Sequence, residues 1–338
     1  MARVHVYCPA KTNGPQNSYA RSEFDRLIRA AQADRIGRHE LVAGPKDADV
    51  ILFVGPEHAT FQDIRQHPIR RRYIENSFLF YSGDRIVPLM PGLYASLRRK
   101  DYDPAWAISG FYPRVAENEN IRDLGSIDNC SWLYAFSGAI KNHPVRARVV
   151  GLRHPRGLVK DTSSIPNPQR QRDGLLSPHD SYITNYIHVL RTTKFILCPR
   201  GIGTSSWRIF ETIKAGRVPV IISDDWFPPP GPDWGKFSIR VAERDVEQIP
   251  NLLESIEPEA PALARTAVQA WDGYYSKYTM FHTIVEGCLA IKSRRKIPIR
   301  VRALPYYAAT LNPNFIRHWF LSDLKRNLMR TIKWTRFE

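Results

Sequence analysis

The chain has 338 residues, 43% of them apolar and 24% charged, with Lys and Arg outnumbering Asp and Glu by 49 to 33 for a formal net charge of +16. That length exceeds one typical core and fits two domains, and the composition excludes a disordered or collagen-like chain. The positive excess selects anionic partners (nucleotide diphosphates, lipid-linked phosphates, acidic glycans, nucleic acid or an anionic membrane) without choosing among them.

In chain order, Val4 to Tyr7 reads as a first strand, followed by a polar loop and a helix from about Tyr19 to Ala33. Asp49 to Val54 is a second, buried strand, and Gly55-Pro56-Glu57-His58 forms the loop at its carboxyl end. A helix over about Thr60 to Asn76, broken near Pro68, leads to a third strand, Phe78 to Tyr81, which ends in Ser82-Gly83-Asp84. Strands alternating with helices predict a parallel sheet. Val87 to Leu97 is a proline and glycine turn, and the polar stretch from Ala116 to Asn129 is the expected linker.

A second sheet begins at Trp132 to Phe136, followed by Ser137-Gly138 and a helix near Pro144. His154 to Asp180 lacks apolar periodicity and is expected to be a long loop near the acceptor. A helix over Ser181 to Arg191 leads into Phe195 to Cys198, an apolar run without alternation, as in a parallel strand covered on both faces. Gly201 and Gly203 then turn the backbone, and Thr204, Ser205 and Ser206 offer hydroxyls that cap the next helix. Gly216 stops that helix, and Val218 to Ile222 is the next buried strand. The crossover places this loop at the carboxyl edge of the sheet, where open α/β folds bind ligands. Arg200, Arg208, Glu211 and a helix N-terminus converge there, a set suited to a diphosphate and to ribose hydroxyls. The plainer alternative is an ordinary strand-to-helix turn with a surface ion pair between Arg208 and Glu211.

The run CPRGIGTSSWRIFETIKAGRVPVIISDDW, Cys198 to Trp226, resembles the signature of the exostosin family of glycosyltransferases, and WGKFSIRVAERDVEQIPNLLESI, Trp234 to Ile256, resembles its continuation. The resemblance implies an α/β fold of the GT-B type, two Rossmann-like domains facing across a cleft. Residues 1–128 form the acceptor side, 129–291 the nucleotide-sugar side, and 292–338 a basic tail or crossover helix. It further implies inverting transfer from a nucleoside-diphosphate sugar, UDP first among them, to a glycan or lipid-linked acceptor. Gly138 and Arg146 match, loosely, the glycine and basic residue that meet donor phosphates in two-Rossmann glycosyltransferases; an ordinary turn with a solvated arginine is the alternative. The donor set is then Gly138, Arg146, Arg200, Gly201, Gly203, Thr204, Ser205, Ser206, Arg208 and Glu211.

Arg200, Arg208 and the helix end would stabilise the leaving phosphate, and no metal or other cofactor is expected. Asp224-Asp225 is assigned to the donor-side loop rather than to a metal motif. Asp84 and Glu57, followed by His58, are the candidates for the catalytic base because each lies just beyond a strand end of the first domain. The four cysteines are scattered without a C-x-x-C pair or a His/Cys cluster, so no metal site is expected from them. No apolar run reaches bilayer length and no signal peptide is read, so a cytoplasmic protein is expected. In the tail, Ile316, Phe320, Leu324, Leu328 and Ile332 recur every fourth residue among Arg and Lys. Such a helix either lies on an anionic membrane or packs back on the protein. Two other readings stay open: a non-catalytic subunit of a polysaccharide-synthesising complex, and a nucleic-acid-binding protein, for which no recognition motif is found.

Overall fold

The computed structural model describes residues 1–8, 15–54, 64, 67–84, 88–122, 124–164 and 181–305. Its strands are β1 Ala2–Tyr7, β2 His39–Leu41, β3 Val50–Val54, β4 Ser77–Tyr81, β5 Gly92–Tyr94, β6 Ala107–Ser109, β7 Trp132–Gly138, β8 Gly157–Asp161, β9 Thr193–Pro199, β10 Val218–Ile222 and β11 Ile239–Val241. The α-helices are α1 Pro15–Gln32, α2 Pro68–Arg72, α3 Pro144–Gly151, α4 Ser181–Thr192, α5 Trp207–Lys214, α6 Ile249–Ile256, α7 Ala260–Ala270, α8 Met280–Arg294 and α9 Ile299–Arg302. Two parallel sheets result, ordered β2-β1-β3-β4-β5-β6 and β11-β10-β9-β7-β8. This is the two-sheet α/β architecture that the alternating pattern predicts.

Both sheets share one topological feature that positions the site. In each, the second strand lies outside the first and the third lies on the first strand's other side, so the order reverses between β1 and β3 and again between β7 and β9. Chains leaving the carboxyl ends of such a pair diverge to opposite faces and leave a crevice. The central strands are wholly apolar and buried, as for Val50 to Val54 and Val218 to Ile222, because helices cover both faces.

Several elements differ from the sequence reading. The stretch expected to be a loop after His154 contains β8, an edge strand whose half-exposed residues give no apolar run. The expected linker is packed rather than free: Lys214 donates to the carbonyls of Val115, Ala116 and Asn118, and Arg217 to those of Leu124 and Gly125. Within the stretch from Trp234 to Ile256, a 3-10 segment over Glu243–Gln248 precedes α6, which starts at Ile249. Helix α8 lies within the range assigned to the second domain yet packs on the first sheet. Gly287 sits so close to Leu93 and Ile108 that an added Cβ would come within 3.0 Å and 3.2 Å of their side chains. Lys292 then donates to Asp49 O and Asn76 Oδ1. The crossover back to the first lobe is therefore made by α8, while the periodic tail helix lies outside the described residues.

The two lobes meet through more than this helix. Arg99 N donates to Asp225 O at 2.8 Å, and the rings of Tyr102 and Phe227 stack at 3.9 Å. Phe111 of the first lobe packs on Phe210 and Tyr275 of the second. No described helix is long and apolar enough to cross a membrane.

Candidate functional site

The second sheet's switch point lies between Gly138, the last residue of β7, and Pro199, the last of β9. From Pro199 the chain runs through Arg200 and the glycine loop into α5. Ser206 is the N-cap, in extended backbone, and its Oγ accepts from Arg208 N at 3.4 Å. The amides from Gly201 to Ser205 enter no strand, helix or turn bond among the described residues. They and the first turn of α5 form a positive helix end of the type that holds phosphate.

Arg200 stands at this edge, its side chain 16% exposed, with Nη1 3.5 Å from Asp225 Oδ2 and 3.6 Å from Glu243 Oε1. Both separations exceed a good hydrogen bond, and its Nε has no partner among the described residues. The guanidinium thus keeps capacity for a further anion. Asp224 and Glu243 fasten the surrounding loops by exchanging backbone-to-carboxylate bonds of 3.2 Å and 2.9 Å. The adjacent carboxylates of Asp224 and Asp225 consequently serve different partners. His143 caps α3, accepting from Val145 N, and its Nδ1 lies 3.9 Å from Glu243 Oε2. Burial first, then the Arg200 charge, pushes its pKa below the ordinary imidazole value.

Arg146 and Arg208 are committed more firmly. Arg146 is 7% exposed and donates to Arg200 O at 2.7 Å, Ala139 O at 3.1 Å and Pro199 O at 3.3 Å. It braces the carboxyl ends of β7 and β9 from beneath. Arg208 donates through Nη2 to Ser137 O at 2.6 Å and lies over the Phe136 ring. Gly138 leaves room for it, since an added Cβ there would come within 3.1 Å of that same nitrogen. Glu211, one turn along α5, accepts from the buried Tyr186 hydroxyl at 2.7 Å, which leaves its second oxygen out of that bond. Arg208 and Glu211 therefore hold protein partners rather than forming a surface pair with each other.

The first lobe closes on this loop directly. Thr204 Oγ1 donates to Leu97 O at 3.0 Å, so this hydroxyl docks the lobes. Ser205 is buried without a hydrogen-bond partner for its Oγ among the described residues. A Cβ added at Gly203 would lie 2.8 Å from Ser96 Cβ and 2.9 Å from Asp84 Oδ1, so only glycine fits this approach. The structure thus brings Asp84 to the glycine loop after β9, while Glu57 and His58 lie outside the described residues. Sequence reasoning missed His143, Tyr186 and Glu243. Of these, only Glu243 falls inside a stretch already singled out, the continuation from Trp234 to Ile256.

The Exostosin GT47 domain model matches residues 111–256 of this chain. Among curated proteins, the Exostosin-1 homolog of Caenorhabditis elegans is 40% identical over 92 residues, 26% of this chain and 24% of the relative. Exostosin-1 of Drosophila melanogaster is 32% identical over 236 residues, 63% of this chain and 30% of the relative. The matches span less than a third of these relatives' own length. Among solved structures, a glycosyltransferase from Rickettsia africae aligns over 87% of this chain and 99% of its own, at 12% identity and a TM-score of 0.39. The matched region runs from Phe111 at the lobe junction, through the glycine loop and α5, to the end of α6. Residues 111–256 of this chain, around the switch point of its second sheet, are thus similar to the GT47 domain of exostosins.

Proposed function

We propose that the protein is an inverting glycosyltransferase moving a sugar from a nucleoside-diphosphate sugar, UDP first among them, to a hydroxyl of a glycan or glycolipid acceptor. One observation carries the reading: the signature of a glycosyltransferase family coincides with the switch-point crevice, where Arg200 stands with the amides from Gly201 to Ser205, which make no backbone bond among the described residues. The diphosphate would lie on those amides beside Arg200, and the second oxygen of Glu211 would accept from a ribose hydroxyl. Asp84, reaching the loop from the opposite lobe, would take the proton of the acceptor hydroxyl. The acceptor oxygen then attacks the anomeric carbon from the face opposite the phosphate. As the carbon–oxygen bond to the diphosphate breaks, its electron pair and charge pass to the phosphate, where Arg200, Arg208 and the helix end stabilise them. Positive charge from the protein makes a metal at the phosphates unnecessary in this scheme.

The test is incubation with a panel of nucleoside-diphosphate sugars and oligosaccharide acceptors, with the product's anomeric configuration read by proton NMR. Inversion is expected. Retention would overturn the single displacement, and donor binding without transfer or hydrolysis across the panel would favour a non-catalytic subunit.

A further inference from the structure

At the far end of the first sheet, three side chains from distant parts of the chain converge. His39 opens the edge strand β2, and His282 and Glu286 stand four residues apart on α8, hence on one helix face. Their ligand atoms all lie within 4.8 Å of one another. His39 pairs in register with Ala2 at the start of β1, which places the cluster at the amino end of the sheet. The donor loop leaves from carboxyl strand ends, so the cluster takes no part in that site.

The polar groups here are poorly served by the protein itself. The His39 side chain is 2% exposed, and neither of its ring nitrogens has a hydrogen-bond partner among the described residues; nor has Nδ1 of His282. His39 Nε2 lies 3.2 Å from Glu286 Oε1 without hydrogen-bond geometry, and the two imidazoles stack at 5.0 Å. A buried unsatisfied nitrogen costs roughly 1–3 kcal/mol, so three in one cluster demand a partner. Two ligands of a tetrahedral ion with bonds of about 2 Å stand about 3.3 Å apart. The His39 to Glu286 separation already matches that edge.

We infer that His39, His282 and Glu286 form a binding site for a divalent transition ion of the zinc type, which clips the edge strand β2 to the crossover helix α8. Two imidazoles and a carboxylate suit zinc and leave a fourth position for water. Glu286, 50% exposed, gives the ion a route in from solvent. Asp34, with Oδ1 buried and unpartnered among the described residues, adds negative charge near His39. The ion would be structural, tying the element that returns from the second lobe to the outermost strand of the first.

The experiment uses untagged full-length protein stripped with chelator, then titrated with zinc chloride by calorimetry and thermal unfolding, with magnesium chloride as control. One equivalent of zinc and a raised Tm are expected, with no effect of magnesium. Glu286→Gln, at a half-exposed position that leaves the fold intact, and His282→Asn are each expected to weaken zinc binding at least tenfold. Absence of zinc binding to the parent protein, or binding undiminished in both variants, would overturn the assignment.

Discussion

Arg217, at the entrance to β10, allows a stability prediction to be worked from counted bonds. It is 1% exposed. Nε donates to Leu190 O at 2.9 Å, Nη1 to Gly125 O at 3.1 Å and Gly216 O at 3.0 Å, and Nη2 to Leu124 O at 3.3 Å and Arg191 O at 2.9 Å. All five of its donors are thereby used, and four of those carbonyls belong to two separate segments, the connection between the sheets and the end of α4. Arg217→Met fills the volume but removes those four bonds, leaving Arg191 O the Cys130 thiol at 3.3 Å, at roughly 1 kcal/mol net for each lost bond. Relief of the buried charge returns part of this. Burial does lower the Arg217 pKa, so that relief is real. The balance is a loss of about 2–4 kcal/mol. Arg217→Lys keeps the charge and three donors and should lose about half as much. Urea denaturation of parent and variants measures both, with donor affinity of the folded protein unchanged. A loss below about 1 kcal/mol for Arg217→Met would show that charge desolvation outweighs the bonds, and would refute the reasoning.

Other predictions bear on the junction and the site. Gly203→Ala should cost about 1–3 kcal/mol through overpacking against Ser96 and Asp84, and should raise KM; thermal unfolding and kinetics check this, and unaltered values would contradict the close approach. Asp84→Asn should lower kcat by about a hundredfold or more with donor binding unchanged; retained kcat would move the base to Glu57 or His58. Hydrogen bonds from Arg156, then Lys194 and their charges, hold the Glu257 carboxyl down from 4.5 to about 2. A depressed carboxylate stabilises the fold above its unfolded pKa, and that contribution is lost as pH falls from about 4.5 towards about 2. Acid unfolding of Glu257→Gln should therefore lack part of the parent's pH dependence in that window, and identical profiles would contradict the assignment.

Local chemistry made much of the fold legible. The β9–loop–α5–β10 unit follows from an unalternating apolar run, two glycines, hydroxyl caps and the stop at Gly216, whose φ of +66° requires its glycine. Interactions between distant segments were not legible. Tyr186 under Glu211 and Glu243 beside Arg200 depend on which strands neighbour one another, and spacing along the chain carries no trace of that. Lys214 and Arg217 look like ordinary helix-end cations, yet they are buried and hold the intersheet connection by its carbonyls. The short strands β2, β5, β6 and β11, three residues each, offer too little pattern to be read as strands. The zinc-type cluster was hidden for the same reason, because the helical His282 and Glu286 become suggestive only when the fold brings His39 to them.

The central claim, that the loop after β9 holds a nucleoside diphosphate, is tested most directly by calorimetric titration of UDP, GDP, ADP and TDP into the parent protein and into Arg200→Ala. The account predicts that at least one nucleotide binds with one-to-one stoichiometry. It also predicts that loss of the charged hydrogen bonds, about 1.5–3 kcal/mol, weakens that binding in the variant by roughly ten- to a hundredfold while circular dichroism stays unchanged. Equal affinity in parent and variant, or no binding of any of the four, would contradict it.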